Sequence, residues 1–423
     1  MTSTLHGKKE LYRLLIFWVL AVSYILVYFH RLCPAVVAVD MMHDLHASGA
    51  LIGFLSSAYF YPYALMQIPA GLLSDSWGPR RTISLFFVFA SAGSLLLGLA
   101  PSPFWAIVGR ILVGLGVSTL FVSTLKTLAE WFHARKFATM TGILMAMGGV
   151  GSYTAAAPLA LLSSRFGWRF SFVLVAILTL FMALLVWFIV RDKPSDIGLP
   201  SPAEHAPANK PTEGILKGMG KVLSEAAFWP IAIWFFFDCA VFFSFGGLWG
   251  GPWLMHVYGL SKAQAGQILS MLAVGMMIGS PLLSRLSDRV FRGRKTVIIL
   301  SSAVSLLLTG FLAFATDTLT TSSLYLICFG LGIFSSSIAV IGFTATKELF
   351  PARIAGTATG LVNFFPFAGG AVFQPVLGWI LEKHGRVAGK FPLESYREAF
   401  LTLFICAAIA LLASFFVRET MTE

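Results

Sequence analysis

The sequence predicts an all-α membrane protein of about twelve transmembrane helices, arranged as two pseudo-symmetric six-helix bundles. The composition, a series of long apolar runs and an internal repeat support this fold class. Of the 423 residues, 57% are hydrophobic and 12% are charged, and the mean hydropathy is +0.82. A soluble domain carries about 25% charged residues, so most of this chain does not face water.

Charged and Pro/Gly-rich breaks divide the chain into apolar runs of the length that a bilayer requires, about 20 residues. The first run begins late and has no small-residue cleavage site after it, so we expect no cleavable signal peptide. The predicted spans are, in order, Leu14–Leu32, Leu51–Gly71, Ile83–Ala100, Phe104–Ala129, Ala138–Leu162, Phe170–Val190, Phe228–Leu248, Ala263–Leu283, Val297–Ala315, Ser323–Thr346, Thr357–Leu381 and Ala399–Val417.

The basic residues orient these spans. Most of the 30 Lys and Arg fall on one side of the membrane if both termini are cytoplasmic, which is the arrangement of the positive-inside rule. The net charge of +11 is therefore a signal of topology and not of nucleic-acid binding. We predict a multi-pass protein of the cytoplasmic (inner) membrane, with no nucleic-acid partner.

The four cysteines all lie in or beside spans, without a CxxC pair or metal-ligand spacing. We interpret them as packing residues and predict neither a metal nor a cofactor. Walker loops and Ser/His/Asp sets are also missing from the sequence, so we predict that the protein is not an enzyme.

An internal repeat divides the chain. Glu130–Arg135 followed by Gly142 matches Glu348–Arg353 followed by Gly360 at one constant offset. A Pro-rich stretch lies between the sixth and seventh spans and reads as a cytoplasmic linker. The predicted organisation is a six-helix bundle in 1–190, a linker in 191–225 and a second bundle in 226–423, with a substrate site between the bundles near mid-bilayer.

The loop after the second span carries a distinctive pattern, Gly71-Leu-Leu-Ser-Asp75-Ser-Trp-Gly78-Pro-Arg80-Arg81, and Asp288 opens a second copy after the eighth span. This pattern resembles the signature loop of the major facilitator superfamily, and Arg110 with Gly114 and Gly116 resembles a second motif of that superfamily. An acid and arginines at a helix end can bond a neighbouring helix and hold one conformation. We predict a conformational latch formed by Gly71, Asp75, Gly78, Arg80, Arg81, Asp288, Arg135 and Arg353.

Four further stretches run along both halves: Tyr28–Ala35, Arg191–Pro200, Ser287–Gly293, and Ile341-Gly342 with Gly356–Gly360. They resemble the organophosphate:phosphate antiporters and related anion:cation symporters. In the antiporters a first-helix arginine and a seventh-helix arginine clamp one phosphate. Arg31 is placed like the first of these, but Phe243 stands where the second is expected, so a dianionic phosphate is a less favoured substrate.

A charge within a span is costly unless it pairs or lines a wet cavity, so such charges are candidates for function. Arg31 is the candidate anion contact, because its planar fork suits a carboxylate, sulfonate or phosphate; the alternative is an arginine that snorkels to the interface. Lys126 stands where related anion transporters carry a basic residue. It is a candidate second anion contact, with an inner-gate residue and a snorkelling lysine as the alternatives.

Two titratable residues are candidates for proton coupling. Asp238 lies near the middle of the seventh span, where a carboxyl can be reversibly protonated; a structural pairing is the alternative. His30 adjoins Arg31 and titrates near neutral pH when unperturbed. Adjacent helical residues point about 100° apart, so only one of this pair need face the cavity, and a buried hydrogen-bonded His30 is the alternative.

Polar and aromatic residues complete the candidate site. Tyr59, Tyr63 and Gln67 share one helical face, and such groups commonly line substrate pockets; interhelical packing is the alternative. The predicted substrate contacts are Arg31, Lys126, Tyr28, Tyr59, Tyr63, Gln67 and Asn363, with Tyr24, Gln374 and Ser335 to Ser337 as weaker candidates.

The sequence therefore predicts a monomeric secondary transporter that moves a small organic anion, carboxylate-like or sulfonate-like, by alternating access, with a proton or a counter-anion as partner. An organophosphate or sugar-phosphate exchanger, a non-transporting ligand sensor and a multidrug exporter are the alternatives.

Overall fold

The computed structural model describes residues 2–198 and 215–421. In the N-terminal half the helices are Thr2–Leu32, Pro34–Asp44, Gly49–Ser57, Phe60–Leu65, Gln67–Trp77, Pro79–Gly98, Pro103–Val117, Leu120–Trp131, Ala134–Thr154 and Ala157–Ile189. A single 3₁₀ turn, Pro194–Ile197, follows. Residues 199–214, which hold most of the predicted linker, lie outside the described residues.

In the C-terminal half, π-helical segments continue several α-helices. The α-helices are Ile215–Ser224, Phe228–Ser244, Gly250–His256, Lys262–Arg285, Arg294–Phe314, Thr321–Leu331, Ala339–Leu349, Ala352–Val362, Phe364–Glu382 and Leu393–Phe416. The π segments are Phe245–Trp249, Leu286–Val290 and Gly332–Ser337.

The predicted fold class is confirmed. Ten helical stretches among the described residues are long and apolar enough to cross a membrane. One of them, Thr139–Ile189, contains two spans, because Gly167 with φ of +81° turns the chain between them. The second predicted span is divided into three pieces, each too short to be counted. Spans 1 to 12 therefore all have helical counterparts.

Prolines explain why three predicted spans are interrupted. A proline has no N–H to donate to the carbonyl four residues earlier. Pro62 and Pro69 accompany the two breaks in span 2, Pro158 the break in span 5, and Pro366 the break in span 11. The prediction placed each span correctly but treated it as one continuous helix.

The halves meet through spans 1, 2 and 5 of the N-terminal half. Span 2 packs on span 11, span 5 packs on span 8, and the extension of span 1 packs on span 7. Spans 3 and 6 pack on each other within the first half, and spans 9 and 12 do so within the second. The interface between the halves thus consists of spans 1, 2, 5, 7, 8 and 11.

One end of this interface, which we call the closed end, is tightly sealed. It carries the loops after spans 1, 7 and 11. A Cβ on Gly53 would lie 2.5 Å from the Gln374 carbonyl oxygen, and a Cβ on Gly251 would lie 1.7 Å from the Ala35 carbonyl oxygen. Only glycine permits two backbones to approach so closely, as is usual between membrane helices.

Polar contacts between the halves add to the seal at the closed end. Lys262 forms an ion pair with Asp40, and the Gly49 N–H donates to Glu382 Oε2 at 2.7 Å. Arg386 donates to the Ala47 carbonyl oxygen at 2.9 Å.

The opposite end, which we call the open end, is looser. Four glycines of spans 2, 5 and 11 border open space there, because an added Cβ would meet no atom within 4 Å: Gly71, Gly142, Gly356 and Gly360. The two ends of the interface therefore differ sharply in how closely the halves approach.

Candidate substrate site

Arg31 lies at the centre of the interface between the halves, with 5% of its surface exposed. Its guanidinium carbon is 4.5 Å from the Tyr28 ring centroid and 5.0 Å from that of Tyr63, both in the N-terminal half. It is 5.0 Å from the Phe367 ring centroid and 6.0 Å from that of Phe243, both in the C-terminal half. We call these four rings the aromatic box.

The charge of Arg31 is held by these rings and not by a carboxylate. Within residues 2–198 and 215–421, no ion pair to Arg31 is found, and its Nε atom is buried without a hydrogen-bond acceptor. Cation–π contacts stabilise a desolvated guanidinium by about 2 kcal/mol, which is less than an anion would contribute. Arg31 is thus a buried cation whose strongest type of partner is missing.

The predicted tyrosines surround this charge. Tyr59 stacks on Tyr63 with ring centroids 5.5 Å apart, and Tyr24 packs edge-on against Tyr28 at 5.3 Å. Tyr59 and Tyr63 are almost fully buried. The structure brings Arg31, Tyr28, Tyr59 and Tyr63 together in one site.

Gln67 and Asn363 also meet, but one turn beyond the aromatic box. Asn363 Nδ2 donates to Gln67 Oε1 at 2.9 Å, and Gln67 Nε2 donates to the Tyr63 carbonyl oxygen at 3.0 Å. This amide pair joins span 2 to span 11 between the box and the glycines of the open end. Its position suits a thin barrier at the open side of the site.

Lys126 lies apart from the aromatic box. Its Nζ atom is 2.7 Å from Asp75 Oδ1 and 2.8 Å from the Ser74 carbonyl oxygen. The geometry therefore associates Lys126 with the signature loop, where Asp75 satisfies its charge, and it favours the inner-gate interpretation over a second anion contact.

His30 faces the interior of the N-terminal bundle and not the site. Its side chain is fully buried, and both ring nitrogens lack partners among the described residues. Its carbonyl oxygen accepts a hydrogen bond from Arg110 at 2.7 Å, and Arg110 also donates to the Ser56 carbonyl oxygen at 3.0 Å. A second positive charge beside the Arg110 guanidinium is unfavourable, so this setting disfavours a protonated His30.

Asp238 is buried in the C-terminal half, with 2% of its surface exposed. Its Oδ2 atom lacks a partner within the described part of the chain. Its carbonyl oxygen accepts from Ser335, which lies in the π segment of span 10, at 3.3 Å. A desolvated carboxyl without a cation beside it is most stable when protonated, and such a group suits reversible protonation.

The signature loop forms a bracket around the start of span 3. Gly78 has φ of +84° and lies against Asp192, which follows span 6. The Arg80 N–H donates to Asp192 Oδ1 at 2.7 Å, and Arg80 Nε donates to the Trp187 carbonyl oxygen at 2.7 Å. Arg81 is exposed.

The second copy of the loop forms a matching bracket at the start of span 9. The Arg294 N–H donates to Glu419 Oε1 at 2.8 Å. The Arg294 side chain forms ion pairs with Asp288 and, at 3.0 Å, with Glu348. The side chains of Arg135 and Arg353 lie outside the described residues, so their place in the latch stays a prediction.

Sequence reasoning missed Phe367 and gave no role to the ring of Phe243. Both belong to apolar runs rich in phenylalanine, where no local pattern separates a site residue from a packing residue. Only the register between the two halves shows that these rings face Arg31.

The fold and the site together define a class, a polytopic carrier with two helical bundles around a buried central cation. The Major Facilitator Superfamily model matches residues 20–373 and 235–422. The chain belongs to this superfamily, and it is a transporter and not an enzyme.

Several curated proteins are similar along nearly their whole length. A probable sulfoacetate transporter of Cupriavidus necator is 22% identical, covering 97% of this chain and 95% of that protein. The hexuronate transporter of Bacillus subtilis is 24% identical, covering 89% and 90%. A probable hexose phosphate transport protein of Chlamydia trachomatis is 23% identical, covering 95% and 90%.

Solved structures share the fold. The inward-facing, unoccupied bacterial homolog of the human lysosomal transporter Spinster has a TM-score of 0.73 at 20% identity, covering 96% of this chain and 98% of that one. A D-xylose-proton symporter has a TM-score of 0.74 at 16% identity, covering 97% and 98%.

Proposed function

We propose that this transporter moves a small organic anion, carboxylate-like or sulfonate-like, across the cytoplasmic membrane by alternating access, with proton coupling. The observation that carries the proposal is Arg31, a buried guanidinium between the two halves that no carboxylate of the described chain neutralises. The sulfoacetate and hexuronate transporters among the relatives act on anions of this kind, which supports the proposal.

In the proposed cycle, the anion enters from the open end after the Gln67–Asn363 hydrogen bond breaks. It then takes the fork of Arg31 in a water-poor site, where two parallel hydrogen bonds are strong. With both termini cytoplasmic, the open end faces the cytoplasm, and the contacts of the closed end must separate before the anion can exchange with the outside.

Asp238 is the proposed proton acceptor, and a single subunit is sufficient for the cycle. A proton on Asp238 offsets the negative charge of the bound anion, so the loaded carrier reorients at a lower cost than the anion alone would allow. Lys126 is assigned to the latch with Asp75. His30 has no place in this proposal, because it faces Arg110 inside the first bundle.

The test is a thermal-shift screen of the purified protein against sulfoacetate, tartrate, galacturonate and glucose 6-phosphate, followed by counterflow in proteoliposomes. We expect one of the carboxylates or sulfonates to stabilise the wild type. Arg31→Ala should abolish the shift, and Arg31→Lys should weaken it because a lysine lacks the planar fork. Arg397→Ala, which removes an exposed pair with Asp317, is the control and should respond like the wild type.

The alternatives give different results in the same assays. A sugar-phosphate exchanger, which the hexose phosphate relative favours, would respond to glucose 6-phosphate and exchange it for inorganic phosphate. A sensor would bind an anion without counterflow. If no anion shifts the wild type, or if Arg31→Ala responds equally, the anion site is refuted.

A further inference from the structure

The buried amide of Gln374 connects the aromatic box to the seal of the closed end. Gln374 lies in span 11 and is fully buried. Its side-chain Nε2 donates to the Phe243 carbonyl oxygen at 2.9 Å. Its own carbonyl oxygen accepts from Trp249 Nε1, also at 2.9 Å. One residue therefore bonds span 7 on both sides of the π segment Phe245–Trp249.

The π segment explains why the Phe243 carbonyl needs this donor. A π segment shifts the hydrogen bonding of a helix from the fourth to the fifth residue and leaves a backbone carbonyl near its start without its usual partner. A buried carbonyl without a donor is unfavourable. Gln374 Nε2 meets this need, and Gly247 leaves room for it, because a Cβ there would lie 3.1 Å from Nε2.

A packing role alone does not account for an amide at this position. Gln374 Oε1 is buried and has no partner within residues 2–198 and 215–421, which makes the amide costly to bury. Leucine would fill a similar volume without that cost. The single hydrogen bond to Phe243 is what the amide adds, and the Phe243 ring faces the Arg31 guanidinium.

We propose that Gln374 is a positioning residue that fixes the Phe243 ring against Arg31, and that this ring sets the size of the anion which the site accepts. The proposal rests on the proposed anion site at Arg31. Phe243 is part of the wall of that site in the C-terminal half, so a shift of its backbone changes the space beside the guanidinium. Gln374 then acts on specificity through Phe243, without touching the anion.

The experiment is a double-mutant cycle on the full-length purified protein, with dissociation constants measured for sulfoacetate and for the bulkier galacturonate. The readout is the ratio of the two constants. We expect Gln374→Leu to change this ratio about tenfold and Phe243→Ala to change it by at least as much. In the double variant, Gln374→Leu should add less than about twofold, because a missing ring no longer needs to be positioned.

Trp249→Phe is the matched control. It removes the hydrogen bond to the Gln374 backbone and leaves the one from Nε2 to Phe243, so it tests the consequences of loosening the same junction. We expect it to lower the thermal midpoint while the ratio stays within about twofold of the wild type. If Gln374→Leu does not fold, Gly247→Ala displaces Nε2 instead and should change the ratio in the same way.

The possible failures are distinguishable. If Gln374→Leu and Phe243→Ala act additively, or if Trp249→Phe changes the ratio as much as Gln374→Leu, Gln374 has only a structural role and the inference is refuted. Both results leave the Arg31 site intact. If neither anion binds in an Arg31-dependent manner, the proposed function fails first and this inference fails with it.

Discussion

The two halves of the transporter bracket their signature loops in the same way. In the N-terminal half, the first turn of span 3 donates its Arg80 N–H to Asp192. In the C-terminal half, the first turn of span 9 donates its Arg294 N–H to Glu419. Each acid follows the last span of its own half, so the bracket closes each bundle on itself.

At the centre of the molecule the halves differ. The N-terminal half supplies the charge and the hydroxyl-bearing rings, Arg31, Tyr28 and Tyr63. The C-terminal half supplies two phenylalanines and, deeper in its own bundle, the unpartnered carboxyl of Asp238. The repeat thus keeps the elements that hold the bundles together and varies the residues that meet the substrate.

The strongest test of this division concerns Asp238. We expect Asp238→Asn to abolish accumulation of the anion driven by a pH gradient in proteoliposomes, because an amide cannot release a proton. Counterflow of the same anion, which needs no proton gradient, should persist. Asp75→Asn is the comparison variant, since its carboxyl belongs to the latch. Gradient-driven accumulation by Asp238→Asn would show that the proton site lies elsewhere.

The next test concerns the side chains of the two bracket arginines. The Arg294 side chain bonds Asp288 and Glu348, whereas the Arg80 side chain bonds a carbonyl oxygen and lies 4.6 Å from the Trp187 ring centroid. Arg294→Gln leaves two carboxylates unpaired. Because both acids are partly exposed, we expect a loss of about 1–3 kcal/mol in the free energy of unfolding, below the usual cost of a buried pair.

Arg80→Gln is the matched variant and should lose less than about 1 kcal/mol, the size of an exposed cation–π contact. Thermal unfolding of both variants at one scan rate gives the comparison. Equal losses would mean that the ion pairs of the C-terminal bracket add nothing to its stability.

Hydropathy was sufficient to predict twelve spans, and the signature loop was sufficient to predict the latch region. The breaks in spans 2, 5 and 11 follow from prolines that are visible in the sequence. Lys126 was harder, because its distance from the bilayer centre does not reveal whether Asp75 or an anion takes its charge. The contacts of Phe367 with Arg31 depend on the register between two bundles, which no local pattern encodes.

A smaller effect distinguishes the two bracket glycines. Gly78 has φ of +84°, and a Cβ there would lie 2.2 Å from Asp192. Gly293 has φ of −166°, which any residue adopts, and its Cβ would meet the flexible Glu419 side chain at 2.8 Å. We expect Gly78→Ala to cost about 1–3 kcal/mol, the usual price of such backbone strain.

Gly293→Ala should cost only about 0.5 kcal/mol, within the range of an ordinary surface substitution. Thermal midpoints of the two alanine variants, measured in one detergent, test the difference. A larger loss for Gly293→Ala would mean that the Glu419 side chain cannot move aside.

The smallest effect concerns the charge of Glu419. Partial burial alone would raise the pKa of this carboxyl. The backbone N–H groups of Arg294, Met421, Lys295 and Thr420 oppose this and hold the pKa below the usual value of 4.5. A carboxyl with a lowered pKa stabilises the folded protein above the unfolded-state pKa, and this contribution is lost as the pH falls through the folded-state value.

Glu419→Gln keeps the acceptor oxygen but removes the charge at the start of span 9. We expect it to cost about 0.3–1 kcal/mol at pH 7, the usual value for an anion at a helix N-terminus. The cost should shrink on acidification below pH 4.5, because the wild-type carboxyl then becomes neutral as well. Thermal midpoints of wild type and variant at pH 7 and at acidic pH measure this. A difference that does not depend on pH would mean that Glu419 stabilises the bracket through its shape and not through its charge.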